Sequence, residues 1–123
     1  MLVEKKMTIV PEKLTTRTIM INLPEFEYNT KKSLASDLLV AYMRKAWLAG
    51  KTEVPMTEIY DVICTNVDVL KVLDTSVIGA RRMMWNAARS LEKNGIIETF
   101  YKVGTNYMWL RFTTSYLKFA GLL

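Results

Sequence analysis

Residues 77–94 read VIGARRMMWNAARSLEKN, and two further runs follow, IIETFYKV at 96–103 and YMWLRFT at 107–113. At 100° per residue, Val77, Ala80, Met84, Ala87, Ala88 and Leu91 fall in one stripe about 100° wide, the apolar width of a helix packed on one face. Asn94-Gly95 supplies the stop. The two later runs are β-prone and flank Gly104-Thr105-Asn106, which predicts a hairpin with a short Gly-containing loop. Just upstream, Asp74, Thr75 and Ser76 form a dense capping cluster. A long helix feeding a hairpin is therefore the strongest pattern in the chain.

Working outward, residues 33–49 (SLASDLLVAYMRKAWLA) contain no Gly or Pro and are rich in helix formers. Leu34, Leu38, Ala41, Leu48 and Ala49 share one face, Leu39 and Tyr42 widen it, and Ser36, Asp37 and Arg44 lie opposite. This breadth predicts a central helix, ended by Gly50. After a loop with Pro55, Thr57 is the expected N-cap of a short helix over 58–64, with Ile59, Val62 and Ile63 inward. Residues 66–73 (NVDVLKVL) read either way: the valines suit a strand, whereas Val67, Leu70 and Leu73 suit successive helical turns. Residues 114–123 (TSYLKFAGLL) predict a last apolar helix capped by Thr114 or Ser115, either packed on the 33–49 helix or supporting a homodimer. Residues 1–32 read as an N-terminal extension, partly β, from MTIV at 7–10 and TRTIMINL at 16–23, stopped by Pro11 and Pro24. The fold class is α+β, mainly α, with one domain over 33–123.

The 123 residues suit a single domain. Half are hydrophobic and 24% are charged, an ordinary globular mix. Net charge is +5, but residues 1–32 carry +2, 33–74 carry −2 and 75–123 carry +5. The positive field belongs to the C-terminal part, where it can attract an anionic polymer or simply be solvated. There is no histidine and one cysteine, Cys64. That excludes Ser–His and Cys–His nucleophile pairs, an internal disulfide and a zinc site within one chain. Cys64 is expected to be buried and inert, and Asp61, Asp68 and Asp74 fit no tight metal loop. No catalytic residue, metal or cofactor is expected, so the chain does not read as an enzyme. The charged N-terminus with Pro11 shows no secretory signal, and no apolar run reaches the ~18 residues of a membrane span. The expected location is cytoplasmic, on the nucleoid when bound.

The run Ser90-Leu91-Glu92-Lys93-Asn94-Gly95-Ile96-Ile97, with Leu110-Arg111-Phe112-Thr113-Thr114 further on, resembles the winged helix-turn-helix of repressors of the MarR and PadR kind. There a Leu-Glu-Lys-x-Gly run with two hydrophobics ends the recognition helix and opens the wing. The resemblance covers 33–114 and implies a transcriptional regulator that binds double-stranded DNA. One departure is the ten residues 65–74 before the basic helix, where three or four usually join the helices of such a motif. Related repressors dimerise through helices outside the winged core, which implies a homodimer.

Opposite the apolar stripe, Arg82, Asn86, Arg89 and Lys93 lie within about 60° of one another. An α-helix fits the major groove, where Arg pairs with guanine O6 and N7 and Asn with adenine. Arg82, Asn86 and Arg89 are therefore the expected base contacts of helix 76–94, with Lys93 on a phosphate. Thr75 and Ser76, at the helix N-terminus, suit another phosphate. Gly79, on the same face and costly to a helix by about 1 kcal/mol, predicts a close approach by backbone or ligand. Arg81 is expected at the core edge beside Trp85 and Glu92. By the resemblance, the 96–113 wing rests on backbone or enters the minor groove, giving Lys102, Thr105, Asn106 and Arg111 as backbone contacts. Two other readings use the same residues. One is a winged-helix module that docks a protein, its basic face only solvated. The other is a single-stranded nucleic-acid or RNA binder that stacks bases on Tyr101, Tyr107 and Trp109.

Overall fold

The computed structural model describes residues 31–123, with side chains from Leu34 onward. The expected extended runs over 7–10 and 16–23 lie outside the described residues. Eight elements follow: α1 (Lys31–Leu48), β1 (Val54–Pro55), α2 (Met56–Val62), α3 (Val67–Leu73), α4 (Val77–Lys93), β2 (Ile97–Tyr101), β3 (Met108–Phe112) and α5 (Thr114–Phe119). The described part is thus mainly helical with one small antiparallel sheet, ordered β1-β3-β2.

α1 and α4 form the most extensive helix–helix contact among the described residues. α4 offers Ala80, Met84, Ala87, Ala88 and Leu91, all buried, as the stripe predicts; only Val77, in its first turn, stays half-exposed. The small alanines let α1 approach closely, and α1 buries Leu34, Ala35, Leu38, Leu39, Ala41 and Met43 in the common core. Two residues assigned inward on α1 are not: Leu48 is 74% exposed and Ala49 is exposed too. Leu48 ends the helix and Ala49 lies just past it. Burial of this kind is worth roughly 1.5–3 kcal/mol for each large side chain.

The two short helices differ from expectation in their ends. α2 starts at Met56 after Pro55, with no side-chain cap, so Thr57 is inside the helix and not its N-cap. Proline's fixed φ serves that start. Ile59 and Ile63 are buried, whereas Val62 is half-exposed. Residues 66–73 are helical: the Asn66 side chain accepts from the Asp68 and Val69 N–H groups at 2.9 and 3.1 Å. α3 buries Val69 and Leu73 and leaves Val67 exposed. The ten-residue connection therefore contains a helix of its own, and only residues 74–76 separate α3 from α4. Asp74 takes the left-handed conformation (φ 54°) that ends α3, one that Asp tolerates better than most side chains. Ser76 then caps α4, its Oγ accepting from the Gly79 N–H at 3.1 Å.

α4 ends in a Schellman-type turn. Gly95 has φ +76°, and the Ile96 N–H reaches back to the Leu91 carbonyl at 2.9 Å. This reversal launches the hairpin, whose register runs from Ile97↔Phe112 to Tyr101↔Met108. Along β3, Met108, Leu110 and Phe112 point into the core, with Trp109 and Arg111 on the other face. The loop is residues 102–107, longer than the Gly-Thr-Asn triplet, and the Thr105 N–H and Oγ1 both donate to the Lys102 carbonyl. A third strand was not expected. Val54 and Pro55 pair with Leu110 and Trp109, and a two-residue edge strand tolerates proline. α5 is capped by Thr113, not by Thr114 or Ser115: Thr113 Oγ1 accepts from the Tyr116 N–H at 3.1 Å. The C-terminal segment packs on α1, with Leu117 buried and Trp47 Nε1 donating to the Leu122 carbonyl at 3.1 Å.

Candidate nucleic-acid interface

The outer face of α4 carries Arg82, Asn86, Arg89 and Lys93, all exposed. Helical spacing puts them on one side because the opposite stripe is committed to α1. They are not equivalent. Arg82, Asn86 and Lys93 have no hydrogen-bond or ion-pair partner among the described residues. Arg89 is held: its Nη1 donates to Glu92 Oε1 at 2.9 Å and lies 3.5 Å from Thr99 Oγ1, and its guanidinium sits 4.9 Å from the Trp85 ring centroid. Thr99 Oγ1 also donates to Glu92 Oε2 at 2.6 Å. The bond from Thr99, with Arg89 beside it, holds the Glu92 carboxyl below its ordinary range. Arg89 is therefore tied to the hairpin through Thr99, whereas Arg82 and Asn86 on the N-terminal half, and Lys93 at the far end, are free of partners among the described residues.

Arg81 shares a helix side with Trp85 and Glu92, but the residue that engages both is Arg89, which lies about two turns nearer Glu92. The Arg81 guanidinium lies 5.2 Å from the Tyr60 ring centroid, linking α4 to α2. The close approach at Gly79 is intramolecular. A Cβ there would collide with Thr75 Oγ1, so the glycine makes room for the turn that precedes it. Thr75 is half-exposed over that glycine, and the Ser76 hydroxyl is engaged as the cap.

The hairpin is more neutral than its lysine and arginine suggest. Glu53, just before β1, pairs with Lys102 at 2.7 Å and approaches Arg111 at 3.8 Å. Arg111 Nε also donates to Glu98 Oε1 at 2.7 Å across the β2–β3 pair. Lys102 Nζ lies 3.7 Å from the Trp109 ring centroid, and Arg111 lies over Phe100 at 4.6 Å. Such cation–π contacts use the sheet's outer aromatics as shelves for the two cations. Trp109 and Tyr107 rest against each other, centroids 5.9 Å apart, and Trp109 Nε1 is buried with no partner among the described residues. Asn106 and Val103 stand exposed at the tip, and Thr105 is half-buried beneath them.

Two contributors escaped the sequence reading. Glu53 meets Lys102 across 49 positions, a pairing that only the β1–β3 ladder creates. Ile78 is 70% exposed in the first turn of α4, within about 40° of Arg82 around the helix. The 100° spacing that groups the arginines also places Ile78 on their side of the helix.

Away from this face, a cavity of about 290 Å³ opens between α1, α2 and α3. Tyr42, Lys51 and Glu58 form its polar end, with Glu58 accepting from both of the others. Cys64 is fully buried, and burial pushes its thiol up to about 11, in keeping with an inert cysteine. Among the described residues no group of His, Cys, Asp and Glu is placed to hold a metal, and no helix is long and apolar enough to cross a membrane. Compared with protein-family models, curated proteins and solved structures, the chain matches none.

Proposed function

We propose that the chain is a winged helix-turn-helix protein that binds double-stranded DNA sequence-specifically and acts as a small transcriptional regulator. α3 and α4 are the two helices of the motif, α4 enters the major groove, and the β2–β3 hairpin is the wing. One observation carries this reading. A three-residue turn presents a long helix whose outer face bears Arg82 and Asn86, both exposed and unpartnered among the described residues. Arg82 and Asn86 contact bases, and Arg89 joins them by exchanging its Glu92 partner for a base edge. Lys93, Thr75, Ser76, Lys102, Thr105, Asn106 and Arg111 meet the backbone, which fixes register without reading sequence.

The test is binding to random duplex DNA as a function of salt. A groove reader loses affinity with a log–log slope of roughly −0.9 per phosphate neutralised. Binding that is absent at low salt, or that prefers single strands, overturns the proposal. A second reading, a winged helix that docks a protein, draws on Glu53 and Glu98, which satisfy the hairpin cations internally. A homodimer is part of the proposal, through the apolar groups left exposed at one end, Leu48, Phe119 and Leu123. Sedimentation of the intact chain as a monomer at micromolar concentration refutes that part.

A further inference from the structure

Ile78 is the one large apolar side chain of α4 that is mostly exposed, and it shares a ridge with Arg82 and Asn86. The three stand at i, i+4 and i+8, so they form a continuous row along the outer face. The helix around Ile78 needs no apolar residue there, since its stripe is complete on the other side and its cap is made by Ser76. The first turn of α4 contains no acidic residue, the nearest before it being Asp74 in the preceding turn. In the major groove one group is apolar and sequence-specific, the C5-methyl of thymine. Recognition helices of this motif place their N-terminal residues against base edges.

We infer that Ile78 reads a thymine methyl next to the guanine bound by Arg82. This rests on the DNA-binding reading above and adds a base preference to it. Four residues advance about 6 Å along a helix, and one base pair advances 3.4 Å along the duplex. The thymine therefore lies within about two base pairs of the guanine. Ile78 supplies the apolar contact and Arg82 the charged, bidentate one, so the first two turns of α4 define a short T-and-G element of the site.

The experiment enriches bound duplexes from a random-sequence library with the full chain. The best duplex is then remade with deoxyuridine at each thymine in turn, which removes only the methyl. Wild type should lose about fourfold at one thymine within two base pairs of the arginine-dependent guanine, the worth of one methyl group taken from water. Ile78→Ala should lose about as much or more on the thymine duplex and be indifferent to deoxyuridine. Arg82→Ala should relax the choice of guanine while keeping the thymine preference. Equal wild-type binding to thymine and deoxyuridine at every position near that guanine overturns the inference alone. So does an Ile78→Ala protein that keeps the deoxyuridine penalty. Failure to enrich any duplex overturns the DNA-binding reading and this inference with it.

Discussion

On the proposed DNA-binding reading, replacing Glu53 by Gln should make binding to duplex DNA tighter at low salt and more salt-dependent, by an amount the ion pairs fix. In the wild type, Glu53 is the sole carboxylate partner of Lys102 among the described residues, at 2.7 Å, whereas Arg111 has a second partner in Glu98 at 2.7 Å. Glu53→Gln therefore releases one full cation. One more phosphate neutralised steepens the log–log salt slope by about 0.9. Over a fourfold salt range, from about 50 to 200 mM, that adds roughly a 3.5-fold loss to the wild-type decline. Glu98→Gln alone should change the slope much less, because Glu53 still faces Arg111. The double variant should steepen it by about 1.8. The side chains in these pairs are between a third and half exposed, so stability should fall by about 1 kcal/mol or less. Fluorescence anisotropy with a labelled random duplex, titrated at several salt concentrations, reads the slopes directly. Parallel slopes for wild type, Glu53→Gln and the double variant would refute the reasoning, because they would mean that the hairpin cations never reach phosphate.

Two further outcomes follow from packing and burial. Gly79→Ala should fail to give the roughly 1 kcal/mol that alanine normally adds to a helix, because Thr75 Oγ1 occupies the space; in a Thr75→Ala background the gain should return. Chemical denaturation of the four proteins closes that cycle, and full additivity would show that the two side chains do not meet. Asp37→Asn should stabilise the protein at pH 8 by about 1–2 kcal/mol and have little effect at pH 4. Burial raises the Asp37 carboxyl from 3.8 to about 7, so the folded state holds this proton more tightly than the unfolded state does. Its contribution is favourable below pH 4 and is lost as pH rises through about 7. A stability difference that does not change between pH 4 and pH 8 would contradict this.

The elements most legible in the sequence are those whose period is imposed by one dominant partner. α4 packs chiefly on α1, so its alanines and Met84 recur every three or four residues and its outer face is left mostly to polar groups. The hairpin is similar, since β3 alternates and Gly95 marks its launch. α1 is less legible because it is covered on several sides: Tyr42, Ala46 and Trp47 are half-buried beyond the main stripe, and its last turn leaves the core. The valines of α3 favour a strand by propensity, and the deciding signal is Asn66, whose side-chain cap outweighs that small bias. β1 has two residues, one of them proline, and no local pattern announces it. Its consequence, Glu53 placed against Lys102 and Arg111, is invisible for the same reason. The helix face of the candidate site was thus readable from spacing. The state of each cation on it was not, because Arg89, Lys102 and Arg111 are set by carboxylates and aromatics from other elements.

The claim that matters most is that the free half of the α4 face touches base edges. Affinity of Arg82→Ala, measured against wild type on the enriched duplex and on random duplex at one salt concentration, tests it most directly. The account predicts a loss of about 1–3 kcal/mol on the enriched duplex, roughly 5- to 150-fold, and a much smaller loss on random sequence. Equal affinity of the two proteins for the enriched duplex would contradict it.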